Sequence, residues 1–308
     1  MTTLDALIDL ARRHGGKPRP VVPRLSITVM NAPTAVGAMI YEPNVCLVLQ
    51  GQKRVFIGEK IVEYGEGRCM VVAAEVAALA QISKASPSEP YLAITLAIDA
   101  SLIAALLLEM HGFPEVPLET GFASSAAGPE LLEAWFRLMK LYDRPQEIPV
   151  MARAMEYELM FRLMMGAQGG LIRQISGPDT RLSHIRRAMA WIRDNHAKSL
   201  SIEAMASVAG MSLSVFHRHF KAISGLTPLQ YQKHFRLHEA RRLMVADRAE
   251  AATVGFTVGY ESASQFSREY KRLFGQPPRR DVQSVQSEVP AVRLDSQADE
   301  LSQKIREP

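Results

Sequence analysis

The pattern of apolar and polar positions first indicates a β-rich region. Between residues 36 and 98, short apolar runs alternate with turn residues, including Gly51-Gln52 and Gly58-Glu59. Glycine suits such two-residue hairpins because it adopts positive φ. Strands at this spacing predict an antiparallel sandwich or a small barrel. The predicted strands are VGAMIY (36–41), VCLVLQ (45–50), KRVFIG (53–58), KIVEY (60–64), CMVVAA (69–74) and YLAITLAI (91–98).

Helical periodicity dominates the rest of the chain. Apolar residues at helical spacing predict helices over 99–111, 129–142 and 149–165, and nearly continuous helix over 181–274. The Gly-rich segment 166–180 is predicted to be a linker. The predicted fold class is therefore α+β, with an N-terminal domain over 1–165 and an all-α domain over 181–280. The tail over 281–308 has little periodicity and is expected to be disordered.

Composition and charge narrow the class of protein. The 308 residues include two cysteines, too few for a disulfide framework, and no apolar run long enough for a membrane span. The first residues lack a secretory signal, so the expected location is the cytoplasm. Residues 176–280 hold 17 Lys and Arg against 8 Asp and Glu, whereas residues 1–175 hold 16 against 18. This basic segment indicates either a polyanionic partner or a solvated basic surface.

An internal repeat lies within the basic segment. Residues 212–228 (SLSVFHRHFKAISGLTP) and 262–278 (SASQFSREYKRLFGQPP) are identical at 7 of 17 positions. Each copy predicts a helix with a buried aromatic stripe, a polar and cationic opposite face, and a closing glycine at 225 or 275. Shorter helices over 202–208 and 251–257 precede the copies across Gly-containing turns. Two helix-turn-helix units are therefore predicted.

A long amphipathic helix is predicted over 228–245, between the two units. Its length of about 26 Å could place the two second helices one DNA turn apart, near 34 Å, on one face of a duplex.

These segments resemble a known family. SIEAMASVAGMSLSVFHRHFKAISGLTPLQY and VGYESASQFSREYKRLFGQPP are similar to the DNA-binding domain of the AraC/XylS transcription regulators. IYEPNVCLVLQGQKRVFIGEKIVEYGEG is similar to the cupin-like sensor domain of one subgroup. One departure is Gly255, which stands where the first unit has Ala206; because glycine disfavours helix, the second unit is expected to be looser.

The resemblance implies partners and an outcome. It implies a cupin-like β-barrel that binds a small-molecule effector, and a seven-helix domain that binds double-stranded promoter or operator DNA. RNA polymerase and a second copy of the chain, through the helices over 129–165, are further implied partners. Activation is the commoner outcome in the family, and some members of the subgroup lie beside alcohol or aldehyde oxidoreductase genes.

The resemblance also assigns DNA contacts. Arginine suits bidentate contact with guanine, glutamine suits adenine, and lysine one turn further along suits phosphate. Intradomain salt bridges are the alternative for the two arginines. The predicted DNA-binding residues are Ser214, His217, Arg218 and Lys221 in the first unit, and Ser264, Gln265, Ser267, Arg268 and Lys271 in the second.

The β-rich region offers candidate effector contacts. Strand alternation places Cys46 with Val48 on one face, where a thiol could sense aldehydes or oxidants or simply fill the core. The predicted pocket residues, for which ordinary core packing is the alternative, are Tyr41, Cys46, Phe56, Tyr64 and Tyr91.

Catalytic chemistry is not expected. Before residue 184 the only histidines are His14 and His111, outside the predicted strands, so no metal site is predicted. No cofactor motif and no catalytic residues stand out. The leading interpretation is a sequence-specific transcription regulator and not an enzyme. A cupin enzyme tethered to DNA and an architectural DNA-binding protein are the alternatives.

Overall fold

A computed structural model describes residues 2–16, 21–110, 120–177, 180–247 and 249–288. The N-terminal part begins with helix α1, Thr3–His14. Thr2 and Asp5 close a reciprocal capping box at its start. The strands that follow are β1 Leu25–Met30, β2 Gly37–Tyr41, β3 Asn44–Gln50, β4 Gln52–Ile57, β5 Lys60–Gly65, β6 Arg68–Val72, β7 Val76–Lys84, β8 Tyr91–Ala97 and β9 Phe122–Ala126.

The strands form two antiparallel sheets. One has the order β1-β8-β3-β6-β9 and the other the order β2-β7-β4-β5. All six predicted strands are present, with ends shifted by one or two residues. The prediction missed β1, β7 and β9. Strands β7 (VAALAQISK) and β9 (FASSA) are rich in alanine and serine, which carry little β propensity.

Strand alternation sorts the apolar residues between two cores. Cys46 and Val48 of β3 lie in the core between the two sheets, which we call the sandwich interior. Val45, Leu47 and Leu49 face the other way and pack against helices. Because both faces of β3 are buried, the strand is continuously apolar, as is usual for a central strand covered on both sides.

Helices cover the outer face of the five-stranded sheet. Helix α2 spans Ala100–Glu109, α3 Pro129–Met139 and α4 Ile148–Met165, and the predicted helix over 129–142 finishes as a 3-10 turn, Lys140–Asp143. The predicted linker instead contains helix α5, Gly169–Arg173. Leu171, Ile172 and Ile175 are buried in the helical core. The glycines there did not prevent helix formation, since three large apolar side chains gain burial.

Seven helices make up the C-terminal part within the described residues, the number implied by the resemblance. They are α6 Arg181–Asp194, α7 Ile202–Ala209, α8 Leu213–Ser224, α9 Pro228–Asp247, α10 Ala251–Thr257, α11 Ala263–Phe274 and α12 Pro278–Glu288.

The last helix corrects the prediction of a disordered tail from residue 281. Asp281 is 6% exposed and accepts hydrogen bonds from Arg241 and Tyr270. These hydrogen bonds hold the first turns of α12 against α9 and α11. The rest of that prediction, residues 289–308, lies outside the described residues.

One apolar core runs from the sheet-covering helices into the C-terminal part. It includes Trp135 of α3, Leu182 of α6, and Phe216 and Tyr231 of α8 and α9. A second C-terminal core forms around Phe266 and Tyr270 of α11. The first helix-turn-helix unit therefore shares its core with the N-terminal part, whereas the second has its own. No described helix combines the length and the apolar character that a membrane crossing requires.

Candidate functional site

Two helix-turn-helix units are present at the predicted places. Helices α7 and α8 form the first, and α10 and α11 form the second. Glycine ends both second helices in the left-handed conformation, with φ of 77° at Gly225 and 78° at Gly275. Ser201 caps α7 by accepting a hydrogen bond from the backbone of Ala204. Local sequence therefore sets where these helices begin and end.

The second helix of each unit has a buried aromatic face and an exposed polar face. Phe216 and Phe220 of α8 are fully buried, as are Phe266 and Tyr270 of α11. The opposite faces carry the predicted DNA-binding residues. Seven of these are exposed, namely Ser214, Arg218, Lys221, Ser264, Ser267, Arg268 and Lys271, while His217 and Gln265 are half-buried.

The two arginines are available for an external partner. Arg218 and Arg268 are exposed, and neither forms an ion pair with any residue that the structure describes. The salt bridges considered as their alternative role are thus not formed among these residues. A planar guanidinium exposed on a helix face is suited to bidentate contact with a guanine edge.

Other predicted contacts are partly engaged within the protein. The amide of Gln265 lies 3.4 Å from the Glu269 carboxylate. Glu269 also accepts hydrogen bonds from Lys233 and Tyr260. Burial acts to raise the pKa of Glu269, but hydrogen bonds from Lys233, Tyr260 and Gln265 outweigh it and lower that pKa. Glu269 is therefore an anchored anion on α11 that holds Gln265 toward the protein.

Gly255 makes the second unit tight rather than loose. A Cβ atom at Gly255 would lie 3.0 Å from the ring of Phe266. The missing side chain lets α11 approach α10 closely, which corrects the expectation based on helix propensity alone. The close contact with Phe266, and not helix propensity, decides the role of this glycine.

The sandwich interior brings together four of the five predicted pocket residues. Cys46, Tyr64 and Tyr91 belong to this core, and Tyr41 packs against it. Phe56 does not join them, because it alternates with Val55 and Ile57, which face inward. Its prediction as a pocket residue is not supported by its place on the strand.

Lys53 was missed by the sequence-based reasoning and lies with this group. It shares its strand face with Val55 and Ile57, and its Nζ lies 5.1 Å from the centroid of the Tyr41 ring. Burial acts to lower the pKa of Lys53, yet that pKa stays raised above its ordinary value beside Tyr41 and Cys46. Lys53 is therefore an ammonium ion at neutral pH. The signal in the sequence was its position two residues before Val55, which places both side chains on the same face of a strand.

The tyrosines beside Lys53 stay protonated. Burial raises the pKa of Tyr41, and it raises the pKa values of Tyr64 and Tyr91 well above the ordinary range. The other thiol, Cys69, is also buried, which raises its pKa to about 12. A thiol with that pKa is protonated at neutral pH and is a poor nucleophile.

The N-terminal sheets contact the C-terminal helices directly. Glu75, whose side chain is 13% exposed, accepts hydrogen bonds from Arg193 at 3.1 Å and from the Tyr231 hydroxyl at 2.8 Å. Burial raises the pKa of Glu75. At the β4–β5 hairpin, the Glu59 carboxylate lies 3.0 Å from Lys221 Nζ. A predicted DNA contact of the first unit is thus paired with the hairpin.

Metal-binding side chains do not gather in the part of the chain that the structure describes, where no group of three His, Cys, Asp or Glu is close enough to hold an ion. His14 instead lies 2.6 Å from Asp143. His111, the other histidine considered, lies outside the described residues.

Two family models match this chain. Residues 21–171 match the AraC-type transcriptional regulator N-terminus, and residues 205–283 match a helix-turn-helix domain. The chain belongs to the family of AraC-type transcriptional regulators. Its curated relatives are named as regulators of transcription and not as enzymes.

The relatives include the HTH-type transcriptional activator RhaS from two bacteria. RhaS of Escherichia fergusonii is 32% identical over 124 residues, which are 40% of this chain and 44% of that protein. RhaS of Enterobacter sp. (strain 638) is 31% identical with the same coverage. The match therefore spans less than half the length of these relatives.

Solved structures share the whole fold. An apo variant of ToxT from Vibrio cholerae superimposes with a TM-score of 0.57 and 9% identity, over 86% of this chain and 98% of that chain. ToxT with an unsaturated fatty acid bound gives the same score and identity, over 86% of this chain and 96% of that chain. The arrangement of β sheets followed by two helix-turn-helix units is thus one that occurs in solved proteins.

Proposed function

We propose that this protein is a sequence-specific DNA-binding regulator of transcription that responds to a small molecule bound in its N-terminal part. The observation that carries the proposal is the equivalence of Arg218 and Arg268. Both occupy the same position of a repeated helix, both are exposed, and neither is paired among the described residues. An arginine held this way on a helix that can enter the major groove reads base edges.

The spacing of the two units supports reading of one continuous duplex. Helix α9, Pro228–Asp247, has 20 residues and is therefore about 30 Å long. It connects the end of α8 to the start of α10. The second helices of the two units, α8 and α11, are therefore separated by a rigid element nearly as long as one DNA turn, which is about 34 Å. One protein molecule would then contact two successive major grooves.

The finer parts of the proposal follow the family. The RhaS relatives are named as activators, which favours activation through contact with RNA polymerase. Genes for alcohol or aldehyde oxidoreductases are the proposed targets. Helix α4 offers a surface for a second copy of the chain, because Val150 is 77% exposed and Met165 56% exposed.

The test is binding to tiled DNA fragments from around the gene of this protein. Fluorescence anisotropy at about 0.15 M salt with excess competitor DNA suppresses non-specific binding. We expect one fragment to bind well above its neighbours, and Arg218→Ala and Arg268→Ala each to weaken that binding by about 1–3 kcal/mol. Arg144→Ala removes an exposed charge, paired with Glu147, from the N-terminal part and serves as the control.

Two outcomes would contradict the proposal. If both arginine variants bind the preferred fragment as tightly as Arg144→Ala, the two helices do not read bases. If all fragments bind equally and binding disappears with salt, the protein is an architectural DNA-binding protein, for which the specificity ratio is near one, against about 10³ or more for a regulator.

A further inference from the structure

Hydrogen-bond donors without acceptors accumulate in the sandwich interior. Among the described residues, the hydroxyls of Tyr41 and Tyr91 are buried and make no hydrogen bond of ordinary geometry, and Tyr91 is only 1% exposed. The hydroxyl of Ser124 is likewise buried and unpartnered. Ser124 lies on the same face of β9 as Phe122 and pairs with Met70 of β6, and both of these residues belong to the interior. Each buried polar group that makes no hydrogen bond is unfavourable, so native proteins rarely retain several of them together.

Lys53 adds a positive charge with no counter-charge. Its ammonium approaches the Tyr41 ring, and its β5 neighbour across the ladder is Tyr64. Among the described residues, no carboxylate forms an ion pair with Lys53. A partly buried cation without an anion is unfavourable, and a ligand that supplies the anion would relieve this cost.

The surroundings of these donors are apolar and include small residues. Val55, Val72, Ala78, Ala80 and Ala93 all line the same interior. The interior therefore combines an apolar wall with one cation and several hydroxyl donors.

We propose that the sandwich interior binds a small organic carboxylate, whose anionic head pairs with Lys53 and accepts hydrogen bonds from Tyr41 and Tyr91 while its apolar body contacts the aliphatic wall. A carboxylate has only acceptor atoms, which match an ammonium group and hydroxyls that can each donate a hydrogen bond. Charge-assisted hydrogen bonds from an ammonium and from phenols are also among the stronger ones. This inference rests on the proposed function in that the carboxylate would be the effector. Binding itself, however, requires no DNA.

The test compares acids with their neutral analogues on the full-length protein without DNA. Isothermal titration calorimetry with butanoate, hexanoate and benzoate is set against butanamide, hexanamide and benzamide. We expect at least one carboxylate to bind about tenfold more tightly than its amide, because only the acid supplies the missing charge. Equal affinity for acid and amide, or no binding of any of the six compounds, would overturn the proposal.

Variants locate the site. Lys53→Met should raise the dissociation constant of the carboxylate about tenfold and leave that of the amide nearly unchanged. Arg54→Met is the matched control, since Arg54 is the next residue on β4, points to the other face and pairs with Glu63. Tyr91→Phe should weaken binding of the acid and change the melting temperature of the free protein little, because its hydroxyl makes no hydrogen bond of ordinary geometry among the described residues. If Lys53→Met and Arg54→Met bind the carboxylate alike, the anion lies elsewhere.

The outcome for this site is separable from the outcome for the proposed function. If a carboxylate binds with the expected dependence on Lys53 but leaves DNA affinity unchanged, the site stands and the regulatory role of the ligand fails. If specific DNA binding is found but no carboxylate binds, the DNA-binding function stands and the inference about the interior fails.

Discussion

A methyl group added at Gly225, which ends α8, should lower the free energy of unfolding much more than one added at Gly275, which ends α11. Gly225 and Gly275 are equivalent left-handed caps, with φ of 77° and 78°. Alanine in this conformation costs about 1–2 kcal/mol at either position. The surroundings differ, however. A Cβ at Gly275 would meet nothing within 4 Å, whereas one at Gly225 would lie 2.6 Å from Ile57 Cγ2 and 2.9 Å from the Gly58 nitrogen.

The size of the stability loss expected for Gly225→Ala follows from this contact with the β4–β5 hairpin. Gly58 is itself at φ of 59°, and its own Cβ would lie 2.3 Å from the Gly225 carbonyl oxygen. Two backbones are in contact there, so flexible side chains cannot absorb the overlap. Overpacking of this kind adds about 1–3 kcal/mol. We expect Gly275→Ala to lower the free energy of unfolding by about 1–2 kcal/mol, and Gly225→Ala by about 2–5 kcal/mol.

Urea unfolding followed by circular dichroism measures the loss in the free energy of unfolding for each variant. An unchanged slope of that free energy against urea concentration would show that the unfolded states are comparable. Equal losses for Gly225→Ala and Gly275→Ala would refute the reasoning, because the hairpin would then not rest on the end of α8 in solution. A larger loss at Gly275 would refute it as well.

Two further predictions concern buried carboxylates. Glu75→Ala should lower the free energy of unfolding by about 1–3 kcal/mol, since the Tyr231 hydroxyl loses its acceptor, whereas Glu75→Gln should cost less because the amide oxygen still accepts. Burial raises the pKa of Glu75, so the folded protein binds a proton at this carboxyl more readily than the unfolded chain does. As the pH falls from neutral, the free energy of unfolding of the wild type should therefore increase relative to that of Glu75→Gln. Urea unfolding of the three proteins across pH measures these differences, and an increase with rising pH would contradict the assignment. Asp281→Ala should lower the free energy of unfolding by about 3–5 kcal/mol, because it leaves the partly buried Arg241 guanidinium without its anion; a loss below 1 kcal/mol, like that of a surface residue, would mean that α12 is not part of the C-terminal core.

Much of the C-terminal part could be predicted because its signals are local. The caps at Ser201, Gly225 and Gly275 depend on residues within one helical turn. The aromatic stripe that includes Phe216 and Phe266 repeats at helical spacing, and the repeat itself shows that one unit is used twice. The family membership and the candidate DNA-binding face therefore followed from the order of the residues.

Predictions failed where distant contacts decide. Leu171 and Ile172 turn a glycine-rich segment into a buried helix because the core of the N-terminal helices covers them. Asp281 orders the start of a polar tail because Arg241, 40 residues away, reaches its carboxylate. Gly255 tightens its unit because Phe266 packs where a Cβ would stand. Propensity rules describe each residue by its average behaviour and its sequence neighbours, so they do not include contacts between residues far apart in the chain.

The candidate ligand site shows the same division. Strand alternation placed Cys46 and Val48 on one face of β3, since successive side chains of a strand point to opposite faces. Alternation along β4 could also have placed Lys53 with this group and Phe56 outside it, but only the packing of the two sheets shows that Lys53 lies beside Tyr41. Likewise, the sequence by itself determined that Lys221 lies on a polar helix face, but the tertiary structure decided that Glu59 of the β4–β5 hairpin faces it. The physical reason is that periodicity fixes the direction of a side chain on its own element, whereas its partner depends on how elements far apart in the chain pack together.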